Sequence, residues 1–503
     1  MTPASVRFGA ARRRVIVVCM AAGVTTLLDQ SVLNIAIPVL RTSLHAGATD
    51  VQWIVAGYSL AFGLALVPGG RLGDVHGRKK FFLAGLALFT AVGAVAATAD
   101  RPWLVIAARL FQGAGAGLVN SQVIGTIQDV FSGQDRARAL GLYAVTSGLA
   151  TALGPPLGGG LIAATGPDPG WRFTFLLNVP FGLATLVLAA RHLPPPRGTA
   201  GHTDLDPVGL GLAGALALAL AAMVPFIQVP TSAGATAAWV AAGCAALALL
   251  PYWQRRYARS GHHPLLHPAL ARSAPFALGT VVAMAQFGTS IAASLVLTMF
   301  LQDGLGLSAF AAAAVTLPSA VAMGVSSALA WRVVRRLGRH TVTAGLALGT
   351  SALLASGLAA LRAPAPLLPA ILALAQFCMG TASGLTVSPN QALVLRHAPP
   401  EAAGVAGGVL QMSQRIAAAV SVSAISGVYL HTSAAGAFHH RSSYWHASLT
   451  LVGVMAVALA VSVLRGAGGD VSSPSVRTVW TGWARRPRRR TPPTHNCHTG
   501  KEM

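Results

Sequence analysis

Fourteen apolar runs, most of them long enough to cross a lipid bilayer as a helix, dominate this sequence. An α-helix needs about 20 apolar residues to span ~30 Å of hydrocarbon. The runs cover residues 15–40, 51–70, 81–99, 103–127, 139–165, 173–190, 207–227, 237–254, 274–301, 308–331, 341–361, 366–395, 402–428 and 446–464. Only 10% of the residues are charged, whereas roughly a quarter are charged in soluble proteins. The sequence therefore predicts an all-α, polytopic membrane protein.

The basic residues between the runs indicate how the chain is oriented. With a cytoplasmic N-terminus, the inward-facing segments carry 29 of the 36 Lys and Arg residues, and the outward-facing segments carry 5. This asymmetry is what the positive-inside rule requires, and it remains when the basic tail is left out. We therefore expect a multi-pass protein of the cell (plasma or inner) membrane with both termini in the cytoplasm. The same topology explains the net charge of +23 without a nucleic-acid partner.

The connection between the second and third runs, Gly69–Phe82, reads GGRLGDVHGRKKFF and places four cations beside one acid. Gly70, Gly73 and Gly77 would allow a tight turn and the close approach of another helix. Asp74 and Arg78 are four residues apart, so they would share a face if the preceding helix continues. An ordinary basic turn between two membrane helices would explain the cations, but neither the acid nor the glycines.

The first run contains Asp29, the only acid well inside an apolar run, followed by Asn34 and Pro38. A charge at bilayer depth costs several kcal/mol, so such residues usually pair, take up a proton or line a wet cavity. Asp29 is therefore a candidate for proton transfer. The alternative is a structural aspartate bonded to a neighbouring helix.

The fourth run contains Arg109, Gln112 and Gly113. At about 1.5 Å per residue, Asp29 lies roughly 16 Å from the outer end of its helix and Arg109 roughly 9 Å from the outer end of its own. A long arginine side chain could close much of that gap. A cation there would favour the ionised carboxylate until a proton or a cationic substrate competes for it. A salt bridge without turnover is the alternative.

Two further features lie deep in the apolar runs. The fifth run reads GLATALGPPLGGG, in which glycines allow close helix packing and prolines remove backbone donors. Its marked positions are Gly148, Gly154, Pro155, Gly158 and Gly159. Arg415 is the only charge deep in the second half of the chain. It could line a cavity or donate hydrogen bonds to backbone carbonyls, and the sequence leaves both open.

The second half also carries a weak copy of the Gly69–Phe82 connection, WRVVRRLGRH at Trp331–His340. Aligning Gly338 with Gly77 places Arg335 where Asp74 stands. The copy therefore lacks its acid, and we expect no matching contact there.

Together these motifs resemble the major facilitator superfamily, and in particular its fourteen-helix drug:proton antiporter branch. The matching patterns are G-x-L-x-D-x-x-G-R-K from Gly70, L-D-x-x-x-x-N-x-A-x-P around Asp29, R-x-x-Q-G from Arg109 and the glycine motif of the fifth run. The resemblance implies a major facilitator fold of two six-helix bundles with two additional helices between them. The corresponding regions are an N-terminus (1–14), a first bundle (15–192), two inserted helices (207–254), a second bundle (274–464) and a disordered basic tail (465–503).

The resemblance also implies a function, namely export of hydrophobic or cationic drugs, antibiotics or toxic metabolites in exchange for protons. Substrate would bind near the midplane, and rocking of the bundles would alternate access. The implied site residues fall into three groups. Asp29 and Arg109 are expected to couple transport to protons, and Asn34, Gln112 and Arg415 to line the substrate cavity. A set of contacts on the cytoplasmic face, here called the inner latch, is expected to hold the two bundles together. It consists of Gly70, Asp74, Gly77, Arg78 and Asp129. In that latch Asp129 pairs with Arg78, and Asp74 faces the start of the run 402–428. We expect a monomer.

Three other functions stay open or are disfavoured. An exporter of one endogenous metabolite cannot be separated from a drug exporter by these motifs. A lipid-modifying membrane enzyme would need a nucleophile or a metal, but no G-x-S-x-G stands out and the histidines lack ligand spacing. A sensor that uses the basic tail would lose its function when the tail is removed. The four cysteines are dispersed, so neither a metal site nor a cofactor is indicated.

Overall fold

A computed structural model describes residues 9–195, 205–228, 233–262, 264–338, 340–399, 403–433 and 439–467. The regular structure in these ranges is helical, as lipid requires, because each backbone group must be bonded within the protein. The helices are α1 (Ala10–Ser43), α2 (Ala48–His76), α3 (Arg78–Ala97), α4 (Pro102–Val130), α5 (Gly133–Thr165), α6 (Pro167–Leu176), α7 (Asn178–His192), α8 (Pro207–Gln228), α9 (Ala233–Arg259), α10 (Pro268–Arg272), α11 (Ala274–Met299), α12 (Ala309–Leu337), α13 (His340–Arg362), α14 (Leu368–Arg396), α15 (Ala403–Ser433) and α16 (His439–Ala467). Most of the predicted basic tail, 468–503, lies outside the described residues.

The number of membrane spans is compatible with the sequence prediction. Among the described residues, 11 helices are long and apolar enough to cross a membrane, with α6 and α7 forming one span, Pro167–His192. Helices α5, α8 and α15 are also long, at 33, 22 and 31 residues. Fourteen spans stays a prediction with which this arrangement agrees.

The helices pack in two groups that meet along three seams. In the first group α1 packs on α5, α2 on α4, and α3 on both α4 and α7. In the second group α12 packs on α14, α11 on α15, and α13 on both α14 and α16. The groups meet where α2 contacts α15, α5 contacts α12 and α1 contacts α11. The domain boundaries given above remain a prediction.

The inserted helices α8 and α9 pack on each other, and α8 also lies against α2 and α15. One small apolar cluster joins all of these elements. Its buried members are Val67, Ala213, Leu250, Leu265 and Met412. The inserted pair therefore covers the α2–α15 seam between the two groups.

Two observations concern the exposure of apolar side chains. On α5, the residues Val145, Leu149, Leu153 and Leu157 recur every fourth position and are each at least 41% exposed, so they form an apolar stripe along one exposed face of the helix. The motif around Trp171 would suggest an anchor at the membrane interface, but Trp171 is fully buried and donates to Ser43 Oγ at 3.0 Å.

Candidate functional site

Asp29 lies near the middle of α1 with only 2% of the residue exposed. Its Oδ2 accepts a hydrogen bond from Arg109 Nη1 at 2.6 Å. Its Oδ1 accepts from Gln112 Nε2 at 3.0 Å and from Asn178 Nδ2 at 2.7 Å. One cation and two amides, contributed by α4 and α7, therefore hold a single buried carboxylate.

Arg109 is the cation of this cluster and reaches Asp29 as the helix heights predicted. Besides Asp29, its Nη1 donates to Gln112 Oε1 at 2.7 Å, and its Nε donates to the carbonyl of Ile54 at 3.4 Å. The guanidinium also lies over the ring of Tyr58, 4.0 Å from the ring centre. A desolvated cation over an aromatic face gains further stabilisation. Arg109 is thus fixed between a carboxylate, an amide and a ring.

Small residues allow α4 to approach α2 closely enough for this arrangement. A Cβ added at Gly113 would overlap the backbone of Tyr58, and one added at Gly117 would overlap the backbone of Phe62. The two glycines are four residues apart, so they form the close-packing face that their spacing indicates. This contact sets the height of Arg109 relative to Tyr58.

The predicted cavity residues do not form one cluster. Gln112 belongs to the hydrogen bonds around Asp29. Asn34 is buried farther along α1 and has no part in that network within the described chain. Arg415, on α15, is 7% exposed and donates from Nη1 to Gln30 Oε1 at 2.9 Å. Among the described residues Arg415 therefore bonds a side-chain amide of the other helix group and not backbone carbonyls, and its place in a substrate cavity stays a prediction.

At the junction of α2 and α3, Arg78 bridges two acids. Its Nε donates to Asp129 Oδ2 at 2.5 Å, and its Nη2 lies 2.5 Å from Asp74 Oδ1. Helix α2 continues to His76, so the turn into α3 consists of Gly77 alone, at φ +93°. That left-handed conformation favours glycine. Asp74 and Arg78 thus meet across the turn, and both acids share one cation.

The close helix approach in this motif is made by Gly69 and Gly73 rather than by Gly70. A Cβ at Gly69 would crowd Ser121 and Leu118, and one at Gly73 would overlap the Gln122 amide. At Gly70 the nearest atom would be the Ser121 Cβ at an ordinary 4.0 Å. Gly69 and Gly73 are four apart and share a helix face, whereas Gly70 meets α4 only at an ordinary van der Waals distance.

The expected contact of Asp74 with the start of the run 402–428 cannot be placed, because residues 400–402 lie outside the described residues. A different contact crosses the inner face. Arg71 Nη2 donates to the carbonyl of Pro264 at 2.7 Å, which links α2 to the segment after the inserted helices. In the second half, Gly338 ends α12 at φ +55°, and Arg335 stacks on Trp331 at 4.8 Å.

The glycines of α5 divide into contact and non-contact positions. Gly154 faces Ser31, and Gly158 faces Val32 and Ile35, all on α1. Gly159 instead faces the backbone of α12 at Ala309. Gly148 has open space around it, and α5 continues through Pro155. Two of the marked glycines therefore pack against the helix that carries Asp29, and a third lies on a seam between the helix groups.

Residues 19–422 match the family model described as the Major Facilitator Superfamily. This chain belongs to the Major Facilitator Superfamily. It is 33% identical over 429 residues to a probable actinorhodin transporter from Streptomyces coelicolor, an alignment covering 82% of this chain and 71% of the relative. It is 30% identical to a methylenomycin A resistance protein from Bacillus subtilis, covering 81% and 85%. It is also 30% identical to a cephamycin export protein from Amycolatopsis lactamdurans, covering 89% and 91%.

Solved structures of the superfamily show the same fold. The xylose transporter XylE from E. coli, in a partially occluded inward-open conformation, aligns with a TM-score of 0.61 at 14% identity. The alignment covers 92% of this chain and 98% of that one. The predicted major facilitator fold, and with it a membrane transporter family, is therefore confirmed.

Two contacts of this superfamily member escaped the sequence analysis. Asn178 donates the third hydrogen bond to Asp29, although the two residues are 149 positions apart in the sequence. In the sequence, the only indication of this role was that Asn178 is a polar residue inside the apolar stretch WRFTFLLNVP. Arg41 at the outer end of α1 pairs with Asp303 in the π-helical turn Phe300–Gly304 at 3.2 Å. In the sequence, Arg41 and Asp303 could not be distinguished from ordinary charged residues in loops.

Proposed function

We propose that this chain exports hydrophobic organic compounds, cationic drugs, antibiotics or toxic metabolites among them, in exchange for protons. The names of the relatives support export, since they include a cephamycin export protein and a methylenomycin A resistance protein. The observation that carries the coupling is the carboxylate of Asp29, buried at mid-helix and paired with Arg109 at 2.6 Å.

The exchange would work by competition at Asp29. A proton entering from outside neutralises the carboxylate and removes the charge that attracts Arg109. Arg109 sits on α4 and Asp29 on α1, so weakening this pair frees α4 to shift relative to α1. A ligand changes a conformational equilibrium only through its different affinity for the two states. Here the two states are the paired and the unpaired carboxylate, and release of the proton inside restores the pair.

The contacts of the inner latch would form or break at the cytoplasmic face as the conformation changes. Arg78 holds Asp74 at the end of α2 and Asp129 at the end of α4. Gly70 and Gly77 belong to the same segment, and Gly77 forms its turn. We infer that these ionic contacts form in one state and open in the other. Asn34, Gln112 and Arg415 would line the path of the substrate between the helix groups.

Further points belong to the same proposal. The protein would be a transporter rather than an enzyme and would act as a monomer in the cell membrane, with both termini in the cytoplasm. A second candidate is export of one endogenous metabolite. It is favoured by the relatives whose names specify a single compound, such as the actinorhodin transporter.

The test uses everted membrane vesicles energised by respiration. Proton-driven uptake of ethidium and of 1-pyrenebutyrate is measured and normalised to the amount of protein in the membrane. We expect Asp29→Asn to reduce proton-driven uptake about 100-fold or more, because the carboxyl can no longer exchange a proton. Asp29→Glu should keep part of the activity. Asp100→Asn, at an exposed position, is the matched control and should behave like the wild type.

A second measurement separates loss of coupling from loss of structure. Exchange of preloaded probe without a proton gradient should persist in Asp29→Asn, because the neutral side chain resembles the protonated carboxyl and bound substrate can still shift the helix groups between their two states. Unchanged proton-driven uptake in Asp29→Asn would contradict the proposed role of Asp29. Transport of neither probe by the wild type, together with transport of one tightly defined compound, would favour the second candidate.

A further inference from the structure

Arg415 lies in the seam between the two helix groups, at the level where their helices are half-way through the membrane. Gln30 and Phe62 stand near the middle of α1 and α2, and Phe287 and Arg415 near the middle of α11 and α15. Each helix group therefore contributes two of these four side chains. In the major facilitator fold the central binding site lies at this level between the bundles.

The guanidinium of Arg415 is buried without a carboxylate partner among the described residues. Its one hydrogen bond goes to the neutral amide of Gln30, at 2.9 Å. Its faces are covered by aromatic rings, with Phe62 at 4.0 Å and Phe287 at 5.0 Å. An arginine has several N–H donors in one plane, and among the described residues only the Nη1 of Arg415 has an acceptor. With two aromatic rings packed against the guanidinium, its N–H edge is the place where an acceptor can bind.

Two buried amides, one on α1 and one on α11, also have a group without a hydrogen-bond partner among the described residues. Gln30 Nε2 is buried without a hydrogen-bond partner, although its Oε1 accepts from Arg415. Gln286, next to Phe287, has a buried Oε1 without a partner. Buried polar groups in folded proteins are nearly always bonded, so unused ones deserve an explanation. A ligand with an oxygen acceptor beside Arg415 would satisfy the Gln30 amide.

The charges that are buried at mid-membrane do not balance in the described structure. Asp29 already pairs with Arg109 and accepts two amide bonds, so it offers nothing to Arg415. The remaining buried carboxylate, Asp206, precedes α8 and accepts bonds from four neutral donors. One positive charge, on Arg415, is therefore left over in the seam. An isolated buried charge is costly, and an anion at its edge offsets that cost.

We propose that Arg415 is the anchor for an acidic group of the transported compound. The substrates would include aromatic acids, with a carboxylate or phenolate on the edge of Arg415 and the ring system against Phe62 and Phe287. The proposal rests on the proposed export function and narrows its substrate class. Planar, bidentate recognition of a carboxylate is what a guanidinium provides better than an ammonium.

The test compares a matched pair of probes, 1-pyrenebutyrate as the acid and 1-pyrenebutylamine as the base, in everted vesicles that contain the full chain. The informative variant is Gln30→Glu, which is nearly isosteric and places a carboxylate beside Arg415. We expect the KM for the acid to rise about tenfold or more, because the internal carboxylate occupies the guanidinium, while the KM for the amine stays the same or falls. Arg415→Lys should retain part of the acid transport, and Arg415→Gln should lose it.

Arg396→Gln is the matched control, since it removes one positive charge at an exposed helix end. It should leave both probes unaffected. A purely structural Arg415 predicts a different result, namely that Gln30→Glu strengthens the contact and leaves the acid probe unchanged. That result, or equal loss of both probes in Arg415→Gln, would overturn the proposal. Proton-driven transport of the amine alone by the wild type would overturn it too, while leaving the export function standing.

Discussion

The two most deeply buried aspartates of the described chain, Asp29 and Asp206, are both fully hydrogen-bonded, but by different kinds of donor. Asp29 is held by one arginine and two amides. Asp206 accepts four hydrogen bonds, all from neutral groups. They come from Gly209 N at 2.9 Å and from Trp253 Nε1, Gln254 Nε2 and Leu265 N at 2.8 Å each.

The difference indicates two separate roles for a buried carboxylate. When Asp29 takes up a proton, it loses its negative charge and with it the electrostatic attraction to Arg109. This pair can therefore change between a bonded and an unbonded state. The donors around Asp206 come from α8, α9 and the segment before α10, so they fasten the inserted helices to each other. Asp206 also keeps a left-handed backbone at φ +46°, which the surrounding bonds stabilise. We infer that Asp29 serves the transport cycle and Asp206 the architecture.

The strongest test of this comparison is Asp206→Asn. Asparagine tolerates the same left-handed backbone conformation. The change removes the negative charge and replaces one carboxylate oxygen, an acceptor, by an NH₂ group, which would face the N–H donors around position 206. We expect unfolding to become easier by about 2 kcal/mol or more, because buried groups lose their partners. The thermal midpoint of the detergent-solubilised protein should fall by several degrees. Uptake per molecule in vesicles should stay within about twofold of the wild type.

The result for Asp29→Asn supplies the contrast to this prediction. That variant should lose proton-driven uptake per molecule whatever its stability. If Asp206→Asn lost coupling while retaining exchange without a gradient, the two carboxylates would share a role and the comparison would fail. Equal thermal midpoints for Asp206→Asn and the wild type would contradict the architectural role.

The sequence predicted some of these contacts because helix geometry is regular. The depths of Asp29 and Arg109 followed from their helix positions, whereas Asp74 and Arg78, expected to share a face if the helix continued, meet across the turn at Gly77 instead. Asp206 could not be recognised in this way, because it stands at the edge of an apolar run and its donors lie up to 59 residues away. The pair Arg41–Asp303 is 262 residues apart. Pattern spacing within one helix carries no information on such long-range packing.

Asn178 offers a finer test of the Asp29 site. Asn178→Ala removes one amide donor from the carboxylate but leaves Arg109 and Gln112 in place. Because a hydrogen bond to a charged group contributes about 1.5–3 kcal/mol, we expect proton-driven uptake to fall by about tenfold, clearly less than in Asp29→Asn. Asn120→Ala is the control, as Asn120 is buried on α4 outside this network. Equal effects of the two alanine variants would show that Asn178 acts only by packing.

The smallest effect on uptake is expected for the ion pairs of Arg78 with Asp74 and Asp129. These two carboxylates are exposed, in contrast to the buried carboxylates of Asp29 and Asp206. The side chains of Asp74 and Asp129 are 56% and 57% exposed, and ion pairs in such settings contribute only about 0.2–1 kcal/mol. Arg78→Asp would place a third acid beside them, so we expect uptake to fall about threefold to fivefold. The reversed pair Arg78→Asp/Asp129→Arg should recover it, because attraction across α2–α4 is restored.

The control is Arg138→Gln, which removes a contact of 3.6 Å with Asp135 within α5, leaves the contact of Asp135 with Arg12 in place and should leave uptake unchanged. Recovery in the Arg78/Asp129 reversal alone would identify that ion pair as a latch whose strength depends on charge and not on shape. No recovery would mean that Arg78 is needed for its length and its contact with Asp74. In that case the switch would lie entirely in the buried pair of Asp29 with Arg109, and the inner face would follow it through helix packing.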